Sequence, residues 1–342
     1  MDGKLWAAPF DLETLKVTGP FIPFPERVWS CQYSISENGT LAYVPDPGGS
    51  TLVWVDRNGN VKPTGVKAGN YQSVRFSPDG ERLALTVRSD TNTTDIWIYE
   101  IARGTLSRLT KKGGAYPVWH PDGSRVAFAR DTQSGASHGY GGSLFWIAAD
   151  GSGEPQQLTT RGAQASFSWS PDGNALAFAQ NHTPTNWDVF VLPLRGEPRP
   201  FEATTEFQEK RPIFSRDGRW ITFVSTRSGR DEVYVKGYPD EGTELISTEG
   251  GRQPLWAHSG RELFYRDGER VMLVSIQTEP KLKAETPRKL FTYSEGGRDL
   301  LEMTYDIAPD DQRFIFIQKP TPAHINIVLN WFEKLKRLVP TD

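Results

Sequence analysis

Four aspartates, Asp79, Asp122, Asp172 and Asp217, recur in one local setting. Carboxylates are natural general acids and bases, but a catalytic pair must converge on one bond. These four stand 43, 50 and 45 residues apart, each in the same short unit, so they are expected to shape turns. Asp95, Asp188 and Glu232, further along three units, are expected to be solvated or bonded to backbone. Gly135-Ala136-Ser137-His138-Gly139 has the Gly-x-Ser-x-Gly form of a nucleophile elbow. An elbow needs a strand feeding directly into a helix, whereas this run lies in a Gly/Ser-rich insertion, 132–142. His182, His258 and His324 belong to other units, so a loop is expected there. A single cysteine, Cys31, excludes an internal disulfide and a cysteine-based zinc site, and no Asp-x-Asp-x-Asp-Gly loop is present. No catalytic residue, metal or cofactor is expected.

A second set of residues suits binding. Gln32, Ser73, Tyr116, Ser166, Arg211, Gln253 and Thr304 form one polar column, a residue per unit, three positions before a large apolar residue. Lys210 and Arg252 flank it beside Arg211, and three cations together could take a carboxylate or phosphate. These nine are the candidate ligand-binding residues for a small anion or a peptide end. The opposing expectation is that a strand start is polar because it meets solvent. Asp306 and His120, on the same strands, are the pair that a hydrolase or lyase reading would need.

Such columns require repeated elements to carry them. The unit apolar-Ser/His-Pro-Asp-Gly recurs at Phe76–Gly80, Trp119–Gly123 and Trp169–Gly173, with a fourth copy at Phe214-Ser215-Arg216-Asp217-Gly218. Looser copies are Ile35–Gly39, Trp256-Ala257-His258-Ser259-Gly260 and Ile307–Asp311. Their last positions, 39, 80, 123, 173, 218, 260 and 311, give a period of 41 to 51 residues. Pro presets φ, Asp bonds backbone two residues on and Gly accepts positive φ, so each unit specifies a tight turn. An alternating strand follows each turn, such as Leu83-Ala84-Leu85 or Val126-Ala127-Phe128, then a third strand such as Ile96-Trp97-Ile98 and a short fourth. Repeated four-stranded units predict an all-β fold, a β-propeller. The apolar column Ile35, Phe76, Trp119, Trp169, Phe214, Trp256 and Ile307 is expected to pack between blades.

Six complete units run from about Gln32 to Phe291, with a strand pair left at each end. Joining 1–26 with 300–320 gives a closing blade and favours seven blades, with six the alternative, in a single domain 1–342. The tail 325–339 reads as a short strand and a helix bearing Trp331, Phe332, Leu335 and Leu338 on one face.

Composition agrees with this and narrows the partners. Thirty-two Gly, 25 Pro and 12% aromatics suit many turns and short strands. With 39 basic and 42 acidic side chains the formal charge is −3, which excludes a phosphate-neutralising surface, so no nucleic acid is expected. Mean hydropathy is −0.52 and no run suits a membrane span or a signal peptide.

The Ser-Pro-Asp-Gly repeat resembles that of the TolB-like propellers over essentially the whole chain. More narrowly, Leu5-Trp6-Ala7-Ala8-Pro9-Phe10-Asp11, Leu52-Val53-Trp54-Val55-Asp56-Arg57 and Val328-Leu329-Asn330-Trp331-Phe332 resemble the propeller C-terminal to bacterial eukaryotic-like serine/threonine kinases. That resemblance implies an extracytoplasmic sensing or binding module, part of a longer membrane-anchored kinase. The chain itself lacks the Gly-rich loop, His-Arg-Asp and Asp-Phe-Gly, and Arg298-Asp299-Leu300 is the one faint echo. The reading is therefore a non-catalytic binding or sensing propeller, with a small anionic ligand or a peptide at a central funnel mouth. A protein-interaction scaffold is the second reading, and an enzyme with its site on the funnel the third.

Overall fold

The computed structural model describes residues 4–46, 48–89, 93–131, 142–160, 163–183, 186–294, 301–320 and 324–338. The elbow-like run 135–139 and Arg298–Leu300 lie outside the described residues. Strands dominate, with one helix, Trp331–Leu338. By its internal contacts the chain divides into two compact units, Ser50–Lys319 and Met1–Gly49 with Pro320–Asp342.

In the larger unit the described strands form six four-stranded antiparallel sheets. Five follow chain order, with inner strands Tyr71–Phe76, Ala115–Trp119, Gln164–Trp169, Glu209–Phe214 and Arg252–Trp256; these define the first to fifth sheets. An extra strand, Arg288–Thr292, joins the fifth. The sixth, or closing, sheet runs Tyr305–Ile307, Arg313–Gln318, Thr51–Asp56, Val61–Pro63.

This pairing corrects the expected closure. The C-terminal pair was expected to meet 1–26, and 32–63 to form one unit. Instead Thr51–Asp56 pairs with Arg313–Gln318 from Asp56↔Arg313 to Thr51↔Gln318. The physical reason is apolar alternation: the register buries Val53 and Val55 in one core cluster with Phe314 and Phe316. Arg313 lies 4.9 Å over the Trp54 ring. Lys4–Ala7 pairs with Ile22–Ile35 in the smaller unit, leaving Trp6 52% exposed. That sheet continues through Leu41–Pro45 to Asn326–Val328, and the helix places Trp331 edge-on to Phe24 at 4.9 Å.

The turns explain why strands break where they do. Ser77 Oγ donates to Asp79 Oδ1 at 2.5 Å and accepts the Arg82 N–H at 2.9 Å. Asp79 Oδ1 also accepts the Glu81 N–H at 2.9 Å. Ser170 with Asp172 and Ser215 with Asp217 repeat the arrangement, each at 2.5 Å. The repeated aspartates thus cap their own turns, and hydrogen bonding holds Asp122 down at about 2 and the Asp79 and Asp172 carboxyls below the usual range.

Each turn also seats a neighbour. At Gly80, φ is +74° and an added Cβ would lie 2.8 Å from Pro309 Cγ of the closing sheet. Gly229 has φ +88° with nothing within 4 Å of its added Cβ. Gly229→Ala is therefore expected to cost about 1 kcal/mol for the left-handed backbone alone. Gly80→Ala should cost more, since Pro309 must also move. Urea unfolding of both variants checks this, and equal losses would contradict the seating.

Candidate functional site

Of the nine residues singled out from sequence, eight lie in the larger unit. Gln32 is exposed, in the smaller unit. The others lie at the start of the inner strands of the larger unit, and all but partly exposed Arg252 are buried. Ser166 donates to the Tyr116 carbonyl at 2.5 Å, across two sheets. Thr304 donates to Gln253 Oε1 at 3.0 Å, and Gln253 Nε2 to the Glu302 carbonyl at 3.0 Å. Ser73 and Thr86 share a 2.7 Å hydroxyl contact. Tyr116, Arg211 and Gln253 have φ of 55°, 55° and 51°, each just before a proline, where the strand register slips. A bulge accommodates a proline that cannot donate to the ladder, although the first and third sheets shift register near the same place without one. Arg211 is 1% exposed, and Lys210, 7% exposed, lies 3.7 Å from Asp231. Ser166–Tyr116 and Thr304–Gln253 join neighbouring sheets, while Ser73–Thr86 and Lys210–Asp231 stay within their own four-strand units.

At the other end of the same strands lies a cavity of about 230 Å³ to which all six sheets contribute, so it sits on the axis of the larger unit. Its walls are Phe76, Trp119, Trp169, Phe214 and Trp256, all at most 7% exposed. The apolar column thus packs between sheets and also faces this space, whereas Ile35 is 45% exposed in the smaller unit. Arg75 and Asp306, on adjacent inner strands, are 3.4 Å apart. Asp306 also accepts the Phe76 and Ile307 N–H groups at 2.8 and 3.0 Å, and Arg75 donates to the Phe167 carbonyl at 3.3 Å. Arg216 and His258 complete the polar lining.

A longer groove of about 760 Å³ between the fourth and fifth sheets shares Ser215 and Arg216 with the cavity. It runs past Ser259 and Gly260 to Gln277, Lys283 and Glu285.

The three third-strand acids are committed to partners of their own. Asp95 binds Arg108 at 2.5 Å, Thr110 at 2.9 Å and the Gly113 N–H at 3.1 Å. Glu232 binds Ser247, Arg230 and the Gly250 N–H, and Asp188 accepts the Thr204 N–H at 3.2 Å. His120 lies 2.8 Å from Asp122 and 3.2 Å from the Gly173 carbonyl, so it and Asp306 are held by different partners. Among the described residues no three His, Cys, Asp or Glu side chains gather as a metal site. Nor is any described helix long and apolar enough to cross a membrane.

The signal for the cavity was present in the repeat. In the third position of the turn, where the copies carry Pro78, Pro121, Pro171 and Pro309, two adjacent sheets carry Arg216 and His258.

Sheets, turns and axial cavity together define a TolB-like β-propeller. A solved structure described as TolB from Agrobacterium tumefaciens has this fold, with a TM-score of 0.62 and 17% identity, over 79% of this chain and 98% of that one. The tricorn protease contains a similar propeller, with a TM-score of 0.54 and 16% identity, covering 83% of this chain and 28% of that one. Among curated proteins, an uncharacterised peptidase of Bacillus subtilis, YuxL, is 28% identical over 198 residues. The match takes in 52% of this chain and spans only 28% of YuxL. No family model matches the chain.

One buried acid escaped the sequence reading. Glu209, beside Lys210, is 0% exposed and faces Ser225 at 3.1 Å and Arg227 at 3.8 Å. Burial pushes its carboxyl up from 4.5 to about 7, against the pull of Ser225 and Arg227 and helped by nearby Asp188 and Glu202. Between those values the folded chain holds a proton that the unfolded chain has released. Stability is therefore expected to fall as pH rises through this window, by up to about 1.4 kcal/mol per pH unit. Glu209→Gln should flatten that slope in chemical denaturation from pH 5 to 7.5, and an unchanged slope would contradict the assignment.

Proposed function

We propose that this chain is a non-catalytic binding module whose ligand enters the axial cavity at the turn end of the larger unit. The observation that carries the reading is the state of the ionisable groups there. Among the described residues Asp306 is the one acid lining the cavity, and it already holds Arg75 and two backbone N–H groups. No free acid–base pair is left to move protons, while aromatic walls and cations favour holding a ligand. The cavity is below the roughly 300 Å³ typical of small-molecule sites, so it suits a terminal group, with the remainder of an extended ligand in the adjoining groove. A peptide of a protein partner fits that division. The extracytoplasmic setting implied by the resemblance belongs to the same proposal.

A catalytic reading draws support from the tricorn protease likeness only at the level of fold, and fold does not fix function. Trp119, Trp169 and Trp256 in the wall provide the test. Titration with short peptides, organic acids and sugar fragments is expected to change intrinsic tryptophan fluorescence saturably for at least one class. The same compounds, as ester, peptide or glycoside substrates, should show no turnover. A flat response to the whole panel would contradict a binding cavity, and turnover would contradict the non-catalytic assignment.

A further inference from the structure

We propose that Arg216 and His258 form a carboxylate-binding subsite in this cavity, an inference that rests on the binding reading above. It starts from a break in symmetry. In four of the six turns of the larger unit the third position is proline, and Pro78, Pro121 and Pro171 line the cavity with bare rings. The fourth and fifth sheets, which are neighbours, put a guanidinium and an imidazole in that place. Proline is a good residue for this turn, so the two departures are not explained by turn geometry.

Arg216 is poised as a ligand group. Among the described residues it makes no hydrogen bond or ion pair, while Arg75 beside it is held by Asp306 and the Phe167 carbonyl. Arg216 is exposed at the rim, and desolvation by the surrounding protein still lowers its pKa, with Asp306 and Asp311 opposing and Arg75 adding to the effect. An incompletely solvated guanidinium gains more from an anion than one free in water.

Charge count selects the class of anion. Arg75 and Asp306 cancel as a pair. His258 is half-buried, and burial followed by the Arg216 charge lowers its pKa, so near neutral pH it contributes a polar ring and no second cation. Among the groups that line the cavity one positive charge remains, Arg216, offset in part by Asp311 just outside the lining; a carboxylate balances what is left and a phosphate dianion exceeds it. A planar carboxylate also matches the guanidinium fork and slides between aromatic walls. Two sources present this chemistry, the C-terminus of a peptide lying in the groove and a free organic acid.

The repeat supplies its own control. Arg216→Pro installs the residue that sibling turns already carry, and His258→Ala removes the ring while keeping the backbone N–H that Asp311 accepts, so both variants are expected to fold with an unfolding midpoint close to that of the parent chain. The probes are benzoate, inorganic phosphate, and an N-acetylated tripeptide with either a free or an amidated C-terminus, read by tryptophan fluorescence and calorimetry. Benzoate or the free-acid peptide should bind the parent chain, and Arg216→Pro should weaken that by about ten- to hundredfold. His258→Ala should weaken it less. Tighter binding of the free-acid peptide than of benzoate identifies the chain end as the source, and the reverse order a free acid. Binding that survives Arg216→Pro undiminished, equal affinity for the amidated peptide, or equal affinity for phosphate would each overturn the carboxylate subsite while leaving the binding module standing. No binding of any probe by the parent chain would overturn the subsite, and the separate wider panel then decides the module.

Discussion

The larger unit depends on how each turn sits against the next. Pro309 packs on Gly80, Pro171 on Gly218 and Arg216 on Gly260, while His120 lies against Gly173. The step from the fifth sheet to the closing one is made by hydrogen bonds, since Asp311 accepts the His258 and Ser259 N–H groups at 2.6 and 2.8 Å. A turn tight enough to seat its neighbour needs a residue with positive φ and little or no side chain on that side. In three of the turns a Ser–Asp hydrogen bond, Ser77–Asp79, Ser170–Asp172 or Ser215–Asp217, fixes the shape locally. Contacts between sheets then determine the spacing of the inner strands, and that spacing leaves the axial cavity.

The two ends of the inner strands consequently do different work. At their starts, polar side chains bond to backbone and to one another, within a sheet or across to the next. At their ends, large rings meet around the axis but do not fill it, and the third turn residues reach in from the rim. Arg75 and Asp306 join the first sheet to the closing sheet across this space. Both ends thus contribute cohesion, and the turn end also leaves an accessible space.

Much of this was legible in the sequence because it is local. Ser, Pro, Asp and Gly encode a turn within five residues, and alternation such as Leu83-Ala84-Leu85 encodes the strand that follows. Closure was not legible, because 32–63 has the same four-strand rhythm as every other unit. Only the register of Thr51–Asp56 against Arg313–Gln318, made across the length of the unit, shows where that rhythm divides. The polar column was legible as polar, but whether Ser166 serves a ligand or the Tyr116 carbonyl depends on a distance between sheets. Arg216 and His258 stood in plain view as departures from proline, and their meaning required knowing that this position faces the axis.

That axial geometry requires the larger unit to close on its own ends, because Asp306 reaches Arg75 only from a sheet that 51–63 completes. The direct measurement is a disulfide trap between Thr51 and Gln318, which face one another across the closing register. Thr51→Cys and Gln318→Cys would be combined with Cys31→Ser and oxidised in the folded protein. The account predicts a complete intramolecular cross-link and, for a loop of this length, stabilisation on the order of several kcal/mol. Two thiols that stay free in the folded chain would contradict the closure, and with it the cavity.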